Sequence, residues 1–226
     1  TVREVSIKDA CIQHFKDIGL SEEDRSVTYE NSQARERTQI LMDIANQEGA
    51  LVVGTGDLSE LILGWCTYNG DHMSMYCVNG GVPKTLVRHL VGYYAEIEEN
   101  AECKKTILDI LDTPISPELL PPDKKGNIEQ QTESLVGPYV LHDFFLYHFL
   151  RYGASVEKVK YIALQVFDGM YTEEDINKWL TMFVKRFFSQ QFKRSCLPDG
   201  PKIGTVGVSP RGDLVMPSDA SGYDWL

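Results

Sequence analysis

One short run constrains this chain more than any other feature: Ala50-Leu51-Val52-Val53-Gly54, apolar throughout and flanked by segments of helical pattern. It is too short for a helix and does not alternate, so it reads as a parallel strand covered on both faces. Upstream, Glu30 to Asn46 carries Ile40, Leu41, Ile44 and Ala45 on one helical stripe, and Gly49 ends it. Downstream, Thr55-Gly56-Asp57-Leu58-Ser59-Glu60 sets Asp57 and Glu60 at the N-cap and N3 spacing of a capping box, which opens a helix through Leu61-Ile62-Leu63. Val2 to Ser6 is β-prone, and Ile7, Ala10, Cys11, Phe15 and Ile18 then recur at helical spacing up to Gly19. Strands alternating with helices predict an α/β fold, a parallel sheet with flanking helices.

The remaining chain turns helical. Pro114 to Gly137 is polar and proline-rich and reads as a long loop of the kind that forms lids. Leu141, Phe144, Phe145, Phe149 and Tyr152 then mark the apolar face of a helix. Ser155 caps another helix with Val156, Val159, Ala163 and Val166 inward. Thr172-x-x-Asp175 opens a third, whose Ile176, Trp179, Leu180, Phe183, Val184 and Phe187 keep one face. After Phe188 the chain reads as an irregular tail.

Length and charge narrow the function. The 226 residues suffice for one domain, or one with an appendage. A net charge of −11 opposes a generic nucleic-acid or anionic-membrane partner. No apolar run reaches the roughly 18 residues of a membrane span, and no basic-then-apolar leader opens the sequence. The five cysteines, Cys11, Cys66, Cys77, Cys103 and Cys196, form no C-x-x-C pair and read as reduced thiols of a cytoplasmic protein. No Walker loop, dinucleotide fingerprint, G-x-S-x-G or H-x-x-x-H is found.

Three features could bind anions, each with a plain structural alternative. Gly54-Thr55 lies at the carboxyl end of the expected strand, where a helix start favours phosphates, although Asp57 and Glu60 can equally be a capping box alone. Lys84, after Asn79-Gly80-Gly81-Val82-Pro83, is either a phosphate contact or an exposed lysine. Lys185 to Arg211 holds a local excess of five positive charges, an anion patch or a solvated tail.

The stretches Asn31-Ser32-Gln33-Ala34-Arg35-Glu36-Arg37 and Val53-Gly54-Thr55-Gly56-Asp57-Leu58-Ser59-Glu60, with Trp65-Cys66-Thr67-Tyr68, resemble the synthetase domain of glutamine-dependent NAD synthetase. The likeness continues through Pro83-Lys84-Thr85, Asp112 to Leu119, Thr132 to Tyr139, Gln191 to Ser195 and Ser209 to Asp213. It implies an adenine-nucleotide-α-hydrolase-like, Rossmann-like α/β domain over 1–153 and a helical extension with tail over 154–226 of the same synthetase domain. It also implies the reaction: ATP adenylates the carboxylate of deamido-NAD, pyrophosphate leaves with Mg²⁺, and ammonia from a glutaminase domain attacks. By resemblance Thr55, Lys84 and Ser116 contact ATP. Asn31, Arg35, Glu60, Trp65, Cys66, Thr67, Tyr68 and Lys193 contact deamido-NAD, and Glu60 is also the implied Mg²⁺ ligand. Tyr68 stands where short, ammonia-dependent relatives carry Lys, which sides with the glutamine-dependent type. The family's Ser-Gly-Gly-x-Asp-Ser loop does not occur here and would stand upstream of Thr1, so weak or no turnover is expected of this chain by itself. The resemblance further implies a homodimer or higher homo-oligomer. Another ATP pyrophosphatase ligase, such as a GMP synthetase, and a non-catalytic fragment that folds and dimerises remain the alternatives.

Overall fold

A computed structural model describes residues 2–21, 23–116 and 132–225. Helices α1 (Lys8–Asp17) and α2 (Val27–Glu48) come first, and α2 ends on Gly49 in the left-handed region. Strand β1 (Val53–Gly54) leads into α3 (Leu58–Leu63) and back to β2 (Tyr76–Cys77). The two strands pair in parallel, Val53 opposite Tyr76 and Gly54 opposite Cys77, and Asp199 adds a parallel bridge beyond Tyr76. Helices α4 (Lys84–Ile97) and α5 (Ala101–Asp112) form a hairpin on the outside. Then come α6 (Thr132–Val136), α7 (Tyr139–Leu146) with a π turn over Tyr147–Arg151, α8 (Val156–Val166), α9 (Glu173–Ser189) and the short α10 (Gln191–Arg194).

The α/β class holds, with a small sheet. Several local expectations need correction. Val2 to Ser6 forms no strand: Val2 is 97% exposed, and no strand among the described residues pairs with the segment. The strand within Ala50 to Gly54 shrinks to two residues, and Leu51 and Val53 are half exposed, so it is not covered on both faces. Thr132–Val136 is helical inside the segment expected to be a loop, while the proline-rich stretch 117–131, read as a lid, lies outside the described residues. Tyr152 leaves the aromatic face and is 63% exposed, because the π turn inserts an extra residue per turn and rotates the residues after it. Val166 also points out, since α8 stops there and Phe167 takes the inward position.

The core lies between α3, α7, α8 and α9, so residues on both sides of position 153 share it. The expected face of α9 is buried along its whole length, from Ile176 to Phe187, and its capping box of Thr172 and Asp175 forms as the sequence predicts. Helix α3 is the hub: Leu58, Ser59, Leu61, Ile62 and Leu63 are all buried. So short a helix would not persist alone, and both of its ends are held. At its start, Asp57 accepts from the Glu60 amide and Glu60 accepts from the Asp57 amide. Its end turns at Gly64 (φ 57°), where a Cβ would collide with that of Gln190.

The last carbonyls of α3 are then taken by three cations from α9 and α10. Arg194 Nη1 reaches the Leu61 and Ile62 oxygens at 3.3 and 2.7 Å, and Arg186 Nε reaches Leu63 at 2.7 Å. Lys193 Nζ donates to Gly64 and Cys66 at 2.8 and 2.7 Å. The basic excess of Lys185 to Arg211 is therefore not one anion patch: Arg194 is 1% exposed, Lys202 pairs with Asp213, and Arg211 pairs with Asp199. Positive charge at a helix C-terminus is favourable, and more so where burial excludes water. Replacing Arg194 by Met should leave the Ile62 and Phe187 carbonyls without its guanidinium donors and destabilise the fold by about 3 kcal/mol or more, read as a lowered urea midpoint.

Candidate functional site

A cleft of about 930 Å³ runs between α2, the loop after β1, the 64–74 segment and the α9–α10 junction. That volume is near the upper end of ordinary ligand pockets and suits an extended ligand. All eleven residues assigned by resemblance, from Asn31 to Lys193, line it.

One wall is α2. Asn31 Oδ1 accepts from the Thr67 hydroxyl at 2.8 Å, and Arg35 Nε donates to the Tyr68 carbonyl at 3.1 Å. These bonds pin the segment that carries Trp65, Cys66, Thr67 and Tyr68, and Asp71 adds a bond to the Thr67 amide at 2.7 Å. Tyr68 lies 5.2 Å from the His72 ring and 5.4 Å from Phe192, and Trp65 carries the Arg186 guanidinium at 5.2 Å. Aromatic rings at these spacings can border a planar ligand ring. Burial pushes the Cys66 thiol up to about 12, so it is a packed, protonated group and no nucleophile.

The opposite end of the cleft is built by two helix starts. Lys84, first residue of α4, is 17% exposed and places Nζ 2.5 Å from Asp57 Oδ2 and 2.7 Å from Glu60 Oε1. The exposed-lysine alternative is thereby set aside. Burial, then the neighbouring Asp57 charge, push the Glu60 carboxyl up to about 7 against the opposing pull of Lys84. Burial disfavours the Lys84 charge, but the Glu60 and Asp57 carboxylates outweigh it and hold the ammonium above its ordinary range.

The start of α3 is not an open phosphate cradle. Its Asp57 and Glu60 amides are taken by the capping box, and the Leu58 amide donates to the Val82 carbonyl at 3.0 Å. Asp57 and Glu60 are thus a capping box and, in addition, the counter-ions of Lys84. Thr55 is exposed on the rim, and Ser116 is half-buried across from it. Glu60 is the residue that the resemblance implies as a Mg²⁺ ligand. One of its oxygens is held by Lys84 and the other by the Asp57 amide, and no group of three acidic, His or Cys side chains is set for a metal among the described residues. Lys193 lines the cleft while holding the Gly64 and Cys66 carbonyls.

Arg186 and Asp143 are contributors that reading the residues one by one did not single out, and Asp57, expected as a capping residue, is also a counter-ion of Lys84. Asp143 carries a signal in the sequence, a single carboxylate in the otherwise apolar Val140 to Leu146 stretch apart from His142.

Residues 1–110 match the family model described as NAD synthase. The glutamine-dependent NAD(+) synthetases of Mycobacterium leprae and Mycobacterium tuberculosis strain H37Rv are each 43% identical to the chain over its whole length. The chain spans 37% and 36% of those proteins respectively. A crystal structure of a glutamine-dependent NAD(+) synthetase from Cytophaga hutchinsonii shares the fold, with a TM-score of 0.71 and 22% identity over 96% of this chain and 33% of that one. The architecture is that of the adenine-nucleotide-α-hydrolase fold. Residues 1–110 are a domain of the NAD synthase family, and the whole chain aligns with a part of the glutamine-dependent NAD synthetases.

Proposed function

We propose that this chain supplies the deamido-NAD side and part of the ATP side of a NAD synthetase. The observation that carries the reading is the convergence of all eleven residues on one cleft, in which Arg35, Arg37, Lys84, Arg186 and Lys193 set cations around a protein that is acidic overall. Such an arrangement focuses the field for a ligand with a pyrophosphate bridge.

In this reading the nicotinate carboxylate oxygen attacks the α-phosphorus of ATP and pyrophosphate departs. Ammonia, derived from glutamine elsewhere in the full-length protein, then attacks the activated carbonyl carbon, and AMP leaves with loss of a proton. Lys84 offsets charge on the departing pyrophosphate, with Thr55 and Ser116 beside the nucleotide. In turning to the phosphates Lys84 exchanges its contacts with Glu60 and Asp57 for phosphate oxygens. Asn31, Arg35 and Lys193 hold the dinucleotide, and Trp65 to Tyr68 border the nicotinate. Magnesium accompanies the nucleotide in this scheme, but no step is routed through Glu60. Residues 154–226 are read as an extension of the same synthetase domain as 1–153. The cytoplasm as its location and a homodimer or higher homo-oligomer as its assembly belong to the same proposal; no described helix is long and apolar enough to cross a membrane.

Calorimetry of this chain with deamido-NAD, with and without ATP and Mg²⁺, should give saturable binding. Arg35→Ala should weaken it about ten-fold, on the scale of one charge-assisted contact. No heat from a folded wild-type chain would overturn the reading.

The Glu60 carboxyl titrates near 7 in the folded chain against an ordinary 4.5, so the folded state holds the proton longer than the unfolded one. Its contribution to stability is present in full below about 4.5 and is lost as pH rises through about 7. The difference in urea midpoint between wild type and Glu60→Gln should shift against wild type across that window and stay flat above it.

A further inference from the structure

Asp143 sits on α7, away from every residue assigned above, yet it touches both helices that build the Lys84 end of the cleft. Its Oδ1 accepts from the Ser59 hydroxyl on α3. Its Oδ2 accepts from the Thr85 amide at 3.0 Å and the Thr85 hydroxyl at 2.7 Å. The Ser59 hydroxyl, donating its hydrogen bond to Asp143, accepts from the Lys84 amide at 2.8 Å. The first two amides of α4 are thus satisfied by Asp143, one directly and one through Ser59. Pro83, the residue before α4, offers no capping side chain, so this end of the helix would otherwise be bare.

The carboxylate has no cation partner among the described residues, and burial pushes it above the ordinary carboxylate range against the hydroxyl and amide bonds that stabilise its charge. A half-buried acid held by hydroxyls and helix amides alone is a costly device for stability. Its gain is geometric: Ser59 precedes Glu60, Thr85 follows Lys84, and the Glu60 and Lys84 side chains meet at 2.7 Å. The same helix lays the Tyr139 ring 5.4 Å beneath Lys84 Nζ.

Resting on the proposed function, we infer that Asp143 is a positioning residue for Lys84: it locks the starts of α3 and α4 together through Ser59 and Thr85, so that the ammonium projects into the cleft at the height of the ATP phosphates.

The test uses Asp143→Asn in the full chain, with lysines reductively methylated with ¹³C and the Lys84 signal assigned from Lys84→Arg. The amide cannot accept from both Ser59 and Thr85. The Lys84 signal should therefore move and its titration midpoint fall towards that of an ordinary lysine, in a protein whose other lysine signals stay in place. ATP affinity should drop about ten-fold, the scale of one hydrogen bond. Ser59→Ala cuts the same relay while keeping the carboxylate and is read in the same way where Asp143→Asn does not fold; in the double variant the two losses should not add. An unchanged Lys84 signal and titration in folded Asp143→Asn would overturn the inference. Wild type that fails to bind ATP while its Lys84 signal still answers to Asp143→Asn would instead overturn the functional reading and leave the positioning intact.

Discussion

Three cations converging on the last turn of one six-residue helix hold this structure together. Helix α3 is too short to be stable by hydrogen bonding alone, and its C-terminal carbonyls are buried where water cannot reach them. Arg194, Arg186 and Lys193 satisfy them and, because they come from α9 and α10, also fix where those helices lie. The loop from Gly64 to Ser74 leaves the same end of α3, so the cleft wall with Trp65 to Tyr68 inherits its position from that contact. The burial of α7, α8 and α9 against α3 supplies the apolar area, and the cations set the register.

The electrostatics of the cleft follow from the same economy of partners. The protein is acidic, yet cations face the cleft, and four of them, Arg35, Lys84, Arg186 and Lys193, each hold a carbonyl, a ring or a carboxylate. Arg35 holds the Tyr68 carbonyl, Arg186 and Lys193 hold α3, and Lys84 holds Asp57 and Glu60. Charges held in this way are already at the cleft when an anion arrives, which is what electrostatic stabilisation of a leaving group requires.

Local signals were legible where a side chain acts on its own backbone. The capping boxes at Asp57 and Thr172, the Ser155 cap and the inward face of α9 could all be read from spacing, because within a turn of helix the geometry is fixed by the helix itself. Signals failed where a distant element decides. Val2 to Ser6 has the composition of a strand without a strand among the described residues to pair with. Tyr152 keeps helical spacing from Phe145 and Phe149, but the π turn breaks the period between them. The Lys185 to Arg211 charges looked like a patch because sequence shows that they are near one another and not that a helix end lies beneath three of them. The membership of the cleft was legible only through resemblance; periodicity alone would not have joined Asn31 to Thr67 or Lys193 to Gly64. Asp143 shows the limit from the other side, since a carboxylate in an apolar helix signals a buried partner without saying which.

Lys193 serves two masters, a helix end and the cleft, and this ties ligand affinity to folding in a definite way. A bound phosphate that draws the ammonium towards itself stretches its bonds to the Gly64 and Cys66 carbonyls, leaving Arg186 as the firmer donor to Gly64. The anion's attraction is then offset by the loosening of α3, so the measured affinity is the difference of the two. Heat resistance conferred by the ligand would fall short of what its contacts alone provide, and a substitution that tightened α3 independently of Lys193 would free that ammonium and improve binding without touching the ligand.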